Sequence, residues 1–387
     1  MTTARASLTL TRTSAAMAAP MSRGGSGGVR RLTGYLTRSS HAASEGARTF
    51  PLAYRRDFTL NKTKTLPQPN MKAVQILGDK SAPSVVLTDN LPQPTASGSD
   101  LLIRVHAAGV TADEVSWPEV YNTRNRIPGH DISGVVSALG PSYAGPLAVG
   151  DEVFAMLAAD ASQGGQAEYA VASQAEVARK PTAISHAEAA ALPIPVLTAW
   201  EAIVEHAKLE KGARVLVTGA SGAVGVQMVQ LAKQLLGAEV IGLASSRNHS
   251  YIKELGASTA IDYNTAGWEE SVGSVDAVFD TAGGETLRKA SKTVRDGGAV
   301  VTVADPPPPW AFGKEEPELS KAKPQVKWVY FVVTASGETL GKVAELLQAG
   351  TVKPLKVTEF PSDKAVDAWE FGRQRGRTGK VVIQFAS

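Results

Sequence analysis

The chain has 387 residues, 43% of them hydrophobic and 20% charged, with no cysteine and a formal net charge of +3. This length accommodates two domains and a large core, no run of 18 apolar residues marks a membrane-spanning helix, and disulfides are excluded. The charge is uneven: residues 1–70 carry 11 lysines and arginines against Glu45 and Asp57, a balance of +9, which leaves −6 for residues 71–387. The larger part is mildly acidic, so nucleic-acid binding loses its main warrant.

In chain order, the first 70 residues hold no acidic residue before Glu45, six arginines and no lysine up to that point, and many serines and threonines. That composition resembles a mitochondrial transit peptide. The stretch Ala15–Pro20 is too short and too weakly apolar for a secretory signal. Two other readings stand beside this one: a disordered linker, or upstream sequence that is not translated, since Met71-Lys-Ala-Val opens a natural first strand.

From Met71 to Ala172, short alternating runs between turn residues predict strands at Met71–Ile76, Ser84–Thr88, Leu101–Ala107, Gly134–Ala138, Glu152–Met156 and Ala167–Val171. These form a small β-rich domain. From Ser185 an alanine-rich helical run leads to Ala191–Trp200, after which strands and helices alternate as in a doubly wound parallel sheet, an α/β architecture.

The first α/β unit is the most informative. Arg214–Thr218 reads as a buried strand, Gly219, Gly222 and Gly225 fall at the junction, and Val224, Met228, Leu231 and Leu235 repeat at helical spacing up to Gly237. Glu239–Ala244 closes a βαβ unit. Glycines there let a pyrophosphate approach the backbone of Ser221, Gly222, Ala223, Val224 and Gly225 at the positive end of the helix dipole.

Further strands are predicted at Val275–Asp280, Ala299–Val303 and Trp328–Val333, with helices near Asn248–Leu255, Glu285–Val294 and Thr339–Gln348. Strand ends at Thr218-Gly219, Asp280–Gly284, Val303-Ala304 and Val332-Val333 should ring a cofactor. The proline-rich stretch Asp305–Gln325 reads either as a loop over that site or as a disordered insertion. The second strand of the unit ends without the carboxylate that accepts from a ribose 2′-hydroxyl in NAD sites. Ser245, Ser246 and Arg247 stand there instead and suit a 2′-phosphate, so NADPH is expected over NADH.

Several motifs then occur in order: Ala107–Val110, Pro128–Val136, Val149–Val153, Gly165–Tyr169, Leu192–Trp200, Val217–Gly225 and Glu254–Ala257. Together they resemble the medium-chain dehydrogenase/reductase superfamily, in particular its zinc-independent quinone oxidoreductase branch, over essentially all of residues 71–387. The resemblance implies a GroES-like catalytic domain over residues 71–195, a Rossmann-like NADPH-binding domain over 196–333, and a return to the catalytic domain over 334–387, with the active site in the cleft. It also implies a homodimer paired along the edge strand Lys327–Val333.

By the same resemblance, Thr111 and Thr198 face the nicotinamide, Phe331, Val332 and Val333 contact the cofactor, and Tyr263 and Arg375 close the 2′-phosphate pocket. Tyr121 is the named candidate for proton donor, with aromatic packing as its other reading. The chain departs from zinc alcohol dehydrogenases: Thr111 and Ile194 stand where ligand cysteines are expected, His130-Asp131 remains alone, and no structural lobe fits between Met156 and Ala167. No metal is expected, and His130 reads as a structural histidine.

The chemistry expected is hydride transfer from NADPH to a quinone or an α,β-unsaturated carbonyl. A stand-alone enoyl reductase of a polyketide or fatty-acid pathway is a second reading. A non-catalytic NADPH-binding scaffold or sensor is a third. The acceptor pocket would be lined by Trp117–Arg126, Asp305–Gln325 and parts of Thr334–Glu338.

Overall fold

The computed structural model describes residues 69–158, 163–374, 376–377 and 379–386, which lie in one compact unit. The arginine-rich segment singled out above falls outside them up to residue 68, as does Arg375. The first part folds into strands β1 (Asn70–Leu77), β2 (Ser84–Pro92), β3 (Leu101–Gly109), β4 (Asp131–Leu139), β5 (Glu152–Met156), β6 (Tyr169–Ala172) and β7 (Val177–Arg179). Helix α1 (His186–Ala190) starts on a capping box between Ser185 and Glu188, two reciprocal bonds that satisfy otherwise orphaned N–H groups. Helix α2 (Pro193–Trp200) follows and continues as a π-helical stretch, Glu201–Ala207, that ends at Lys208 in the left-handed conformation.

Strands β8 (Arg214–Thr218), β9 (Glu239–Leu243), β10 (Thr259–Ile261), β11 (Val275–Asp280), β12 (Val294–Thr302) and β13 (Lys327–Tyr330) build a six-stranded sheet in the order β10-β9-β8-β11-β12-β13. All its pairings are parallel. This is the doubly wound order, whose switch point lies between the first strand and the fourth, here β8 and β11. Helices α3 (Ala223–Leu236), α4 (His249–Glu254), α5 (Trp268–Val272) and α6 (Gly284–Lys292) make the crossovers. The apolar face foreseen for α3 is buried at Met228 and Leu231.

The proline-rich stretch has a definite role. Since β12 and β13 are parallel neighbours, the chain must cross from one end of the sheet to the other between them, and residues 303–326 make that crossing without a long helix. Trp310 and Leu319 pack against the core cluster containing Leu216, Val278, Val300 and Trp328. Lys323 Nζ donates to the carbonyl oxygens of Lys292 and Val294 at the start of β12. The stretch is therefore a packed crossover.

After helix α7 (Gly337–Gln348) the chain returns to the first part through β14 (Val357–Pro361), helix α8 (Ala365–Gly372) and β15 (Lys380–Gln384). The second large sheet runs β14-β15-β3-β4-β5-β7, with β6 on β3. The last strand thus sits inside the sheet, antiparallel to β3. Fully buried Trp369 of α8 donates through Nε1 to Gln166 Oε1 at 2.9 Å, and Gln166 Nε2 donates to the Gly109 carbonyl at 2.9 Å. One core cluster includes Ala107 and Phe154 from this sheet, Ala189 from α1, Leu192 before α2, Val196 from α2, and Val217, Phe279 and Val329 from the parallel sheet.

Asp280 ties the carboxyl ends of three parallel strands. Fully buried, it accepts from Thr218 Oγ1 at 2.5 Å and Thr302 Oγ1 at 2.7 Å, and from the Gly283 N–H at 3.1 Å. Replacing it leaves two hydroxyls and an amide short of a partner, each costing about 1–3 kcal/mol. Asp280→Ala is expected to lower stability by about 3 kcal/mol or more, read from the urea midpoint at unchanged m value.

Candidate functional site

At the switch point, β8 ends in Thr218 and the chain turns through Gly219–Gly222 into α3. Gly225 is required by the fold itself, since a Cβ there would stand 2.2 Å from the Gly219 carbonyl oxygen. Gly222 is different. It caps the helix without a side-chain hydrogen bond, is exposed, and a Cβ would meet only the Gly219 oxygen at 3.2 Å. Little in the protein demands a glycine there, whereas a ligand lying on the turn would. The first N–H groups of α3, at Ala223, Val224 and Gly225, have no intrahelical acceptor. They face outward with the positive end of the dipole and fit a pyrophosphate.

Beyond β9, Ser245 precedes a single helical turn formed by Ser246–Asn248. Asn248 Nδ2 donates to Ser221 Oγ at 3.0 Å and to Ser245 Oγ at 3.1 Å. One amide therefore joins the glycine turn to the end of the second strand. Asp262, at the end of β10, accepts from the Ser246 N–H at 3.1 Å. Hydrogen bonds from Asn264, and then from Ser246, hold its carboxyl below the usual range. Arg247 is exposed and has no ion pair among the described residues. Its guanidinium lies beside Gly376, where a Cβ would approach Nη2 to 3.0 Å. Tyr263 is 51% exposed next to Asp262. Asn248 and Asp262 escaped the sequence reading, because neither belongs to the glycine pattern.

On the other side, Thr111 follows β3 and Thr198 lies in α2. A buried network joins them. Lys380 Nζ, from β15, donates to Thr111 Oγ1 at 3.0 Å and pairs with Asp131 Oδ2 at 3.4 Å. Asp131 Oδ1 accepts from the Ile194 N–H at 2.7 Å, and Thr198 Oγ1 donates to the Ile194 carbonyl at 2.7 Å. Burial pushes the Asp131 carboxyl up, opposed by the Lys380 charge and the Ile194 hydrogen bond. Sequence reasoning left His130-Asp131 alone and did not single out Lys380, whose setting Gly379-Lys-Val-Val382 reads as an ordinary strand.

Beside this network lies a second carboxyl. Glu114 is fully buried, both of its oxygens accept from the Gly129 N–H at 3.0 Å, and Oε1 lies 3.5 Å from His130 Nε2. Desolvation raises its pKa to about 7, against the hydrogen bond from Gly129 and the charge of Arg126. His130 Nδ1 bonds the Leu157 carbonyl at 2.9 Å and its Nε2 is 3.5 Å from Arg126 Nη2. The histidine is held by protein groups on both ring nitrogens, with a guanidinium at one of them. Among the described residues no cluster of three His, Cys, Asp or Glu could hold a metal ion.

Tyr121 sits in the short helix Pro118–Asn122. Its hydroxyl donates to the Val115 carbonyl at 2.5 Å, and its ring packs on the cluster containing Trp369 and Val74. Burial raises its pKa. After β13, Phe331 is buried with its ring 4.4 Å from that of His206. Val332 is 62% exposed and Val333 packs on the core.

With this geometry in hand, similarity to known proteins is decisive. Residues 255–383 match a zinc-binding dehydrogenase family and residues 97–182 an alcohol dehydrogenase GroES-like domain. The NADPH-dependent alkenal/one oxidoreductase, chloroplastic, of Arabidopsis thaliana is 31% identical over 77% of this chain and 75% of its own length. A protein of Arthroderma benhamiae named probable zinc-binding oxidoreductase, mitochondrial, is 32% identical over 76% of this chain and 90% of its own. The quinone oxidoreductase of Coxiella burnetii superposes with a TM-score of 0.69 at 28% identity, covering 81% of this chain and 99% of that one. The chain belongs to the medium-chain dehydrogenase/reductase superfamily.

Within that superfamily fold, the raised pKa of Glu114 has a thermodynamic consequence. Its carboxyl keeps a proton in the folded state up to about pH 7, against an ordinary value of 4.5. Between those limits the folded chain binds more protons than the unfolded one, so its stability falls as pH rises. Glu114→Gln is expected to remove that decline. Relative to wild type, the variant should gain up to about 3 kcal/mol in urea unfolding between about pH 4.5 and pH 7.5, and equal slopes for the two proteins would contradict the assignment.

Proposed function

We propose that this member of the superfamily is an NADPH-dependent oxidoreductase that reduces quinones or α,β-unsaturated carbonyls without zinc. The observation that carries the reading is the donor set around Thr111. A threonine hydroxyl held by an ammonium, an isoleucine at position 194 and a histidine engaged on both nitrogens offer no thiolate to a Lewis acid. Such a site can polarise an oxygen by hydrogen bonding alone, which suits an acceptor already activated by conjugation. The names of the Arabidopsis and Coxiella proteins point to the same substrate classes. The name of the Arthroderma relative points to zinc, and the residues of this chain argue against that property here.

When bound, NADPH supplies the hydride. The protein would hold its pyrophosphate on the first turn of α3 and its 2′-phosphate among Ser245, Ser246 and Arg247, with Tyr263 and Arg375 beside them. Phe331, Val332, Val333 and Thr198 would lie toward the nicotinamide. The domain limits at residues 195 and 333 are part of the same reading, with the cleft between the two sheets as the reaction site. A second copy of the chain would pair along β13, which has a strand neighbour on one side only among the described residues and is apolar enough to need a partner. Residues 1–70 would act as a mitochondrial targeting segment by virtue of their arginine-rich, acid-poor composition.

The direct test is NADPH oxidation by residues 71–387 against a panel of quinones, enones and enoyl thioesters. Turnover of free enones or quinones is expected. Preference for an acyl-carrier thioester would favour a stand-alone enoyl reductase, and cofactor binding with no turnover would favour a scaffold or sensor. For the cofactor, Arg247→Ala should raise KM for NADPH by about 10–100-fold, the worth of a charge-assisted bidentate bond, and leave KM for NADH within about twofold. Better turnover of NADH than NADPH by the unmodified protein would overturn the cofactor assignment.

A further inference from the structure

The hydroxyls of Thr111, Tyr121 and Thr198 are the candidates for the reacting end of the cofactor, and they differ in where their protons go. The Thr198 hydroxyl donates to the Ile194 carbonyl inside its own helix, so its proton is committed. The Tyr121 hydroxyl donates to the Val115 carbonyl at 2.5 Å, with the same result. Thr111 is the exception. Its oxygen is bonded to Lys380 Nζ at 3.0 Å, and an ammonium has three donors and no acceptor. In that bond Thr111 Oγ1 can only accept. The hydroxyl retains its one proton, and among the described residues no group accepts it.

Lys380 is itself fixed. It is 7% exposed and is pinned by Asp131 at 3.4 Å, whose other oxygen holds the Ile194 N–H at 2.7 Å. The ammonium therefore cannot swing out of this pocket without depriving a buried carboxylate of its counter-charge. Thr111 is half-buried at the end of β3, so its free proton is directed out of the network.

We infer that Lys380 is a positioning residue that locks the Thr111 hydroxyl as hydrogen-bond donor to the carbonyl oxygen of the bound acceptor. The inference rests on the quinone or enone reductase reading. Negative charge grows on that oxygen as the conjugated carbon is reduced, and a donor already oriented there needs no reorganisation. Loss of one such donor typically costs about 10²–10³ in kcat. Thr111 keeps its proton throughout and stabilises charge; the proton that neutralises the resulting enolate or hydroquinone anion comes from solvent water.

The test uses the full chain with NADPH and a simple enone. Thr111→Val should lower kcat about 100-fold with KM for NADPH within about twofold, and Thr111→Ser should recover most of the loss. Lys380→Met alone would strand Asp131, so the informative variant is the double change Lys380→Met with Asp131→Asn, checked for folding by its urea midpoint. It should lower kcat about tenfold or more while Kd for NADPH, measured by the cofactor's fluorescence, stays within about twofold. Thr111→Val with undiminished kcat, Thr111→Ser no better than Thr111→Val, or a folded double variant with wild-type kcat would each overturn the inference and leave the functional reading intact. Wild-type protein that binds NADPH and reduces no enone or quinone would instead overturn that reading, and the inference with it.

Discussion

The ion pair of Asp131 with Lys380 is the constraint on which the site depends. A carboxylate at 1% exposure and an ammonium at 7% are expensive to remove from water, and a pair like this adds little net stability compared with apolar side chains. What it contributes is geometry. Helix α2 opens with Pro193 and Pro195 around Ile194. Proline has no N–H, so Ile194 carries an early N–H of that turn that needs an external acceptor, and Asp131 provides it. One carboxylate thereby fixes the start of the helix that leads into the cofactor domain and the lysine that meets Thr111.

Asp280 plays the corresponding part in the parallel sheet, with a different solution. Its oxygens are satisfied by neutral donors, two threonine hydroxyls and a backbone amide from neighbouring strand ends. No cation is needed, and the ends of β8, β11 and β12 are held flush where the glycine turn begins. The two carboxylates divide the work: one ties the ends of three parallel strands, and the other ties the start of α2 to Lys380 and through it to Thr111.

Much of the parallel sheet was legible in the sequence, because its signals are local. Val275–Asp280 has its predicted limits, as does Glu152–Met156 in the other large sheet, and the helix after Gly222 follows directly from its apolar spacing. The weaker predictions were those whose determinants lie far apart in the chain. The sequence predicts one strand over Trp328–Val333, but pairing with β12 stops at Tyr330 and buried Phe331 packs with its ring tilted against that of His206. Short strands β7, β10, β14 and β15 give little periodicity, and their partners decide them. The site divides in the same way: the phosphate turn is a contiguous motif, whereas Asn248, Glu114, Asp131 and Lys380 acquire meaning through partners that no spacing rule connects.

The position of β15 has a consequence for the order in which a working molecule can be assembled. This strand follows every other described element along the chain, yet it fills an interior place between β14 and β3. Every element that would grip the cofactor's phosphates is synthesised before it. A nascent chain can therefore acquire its nucleotide platform while the seam beside β3 is still open and Thr111 has no lysine against it. The lysine that would orient Thr111 is thus synthesised after the elements that would hold the nucleotide.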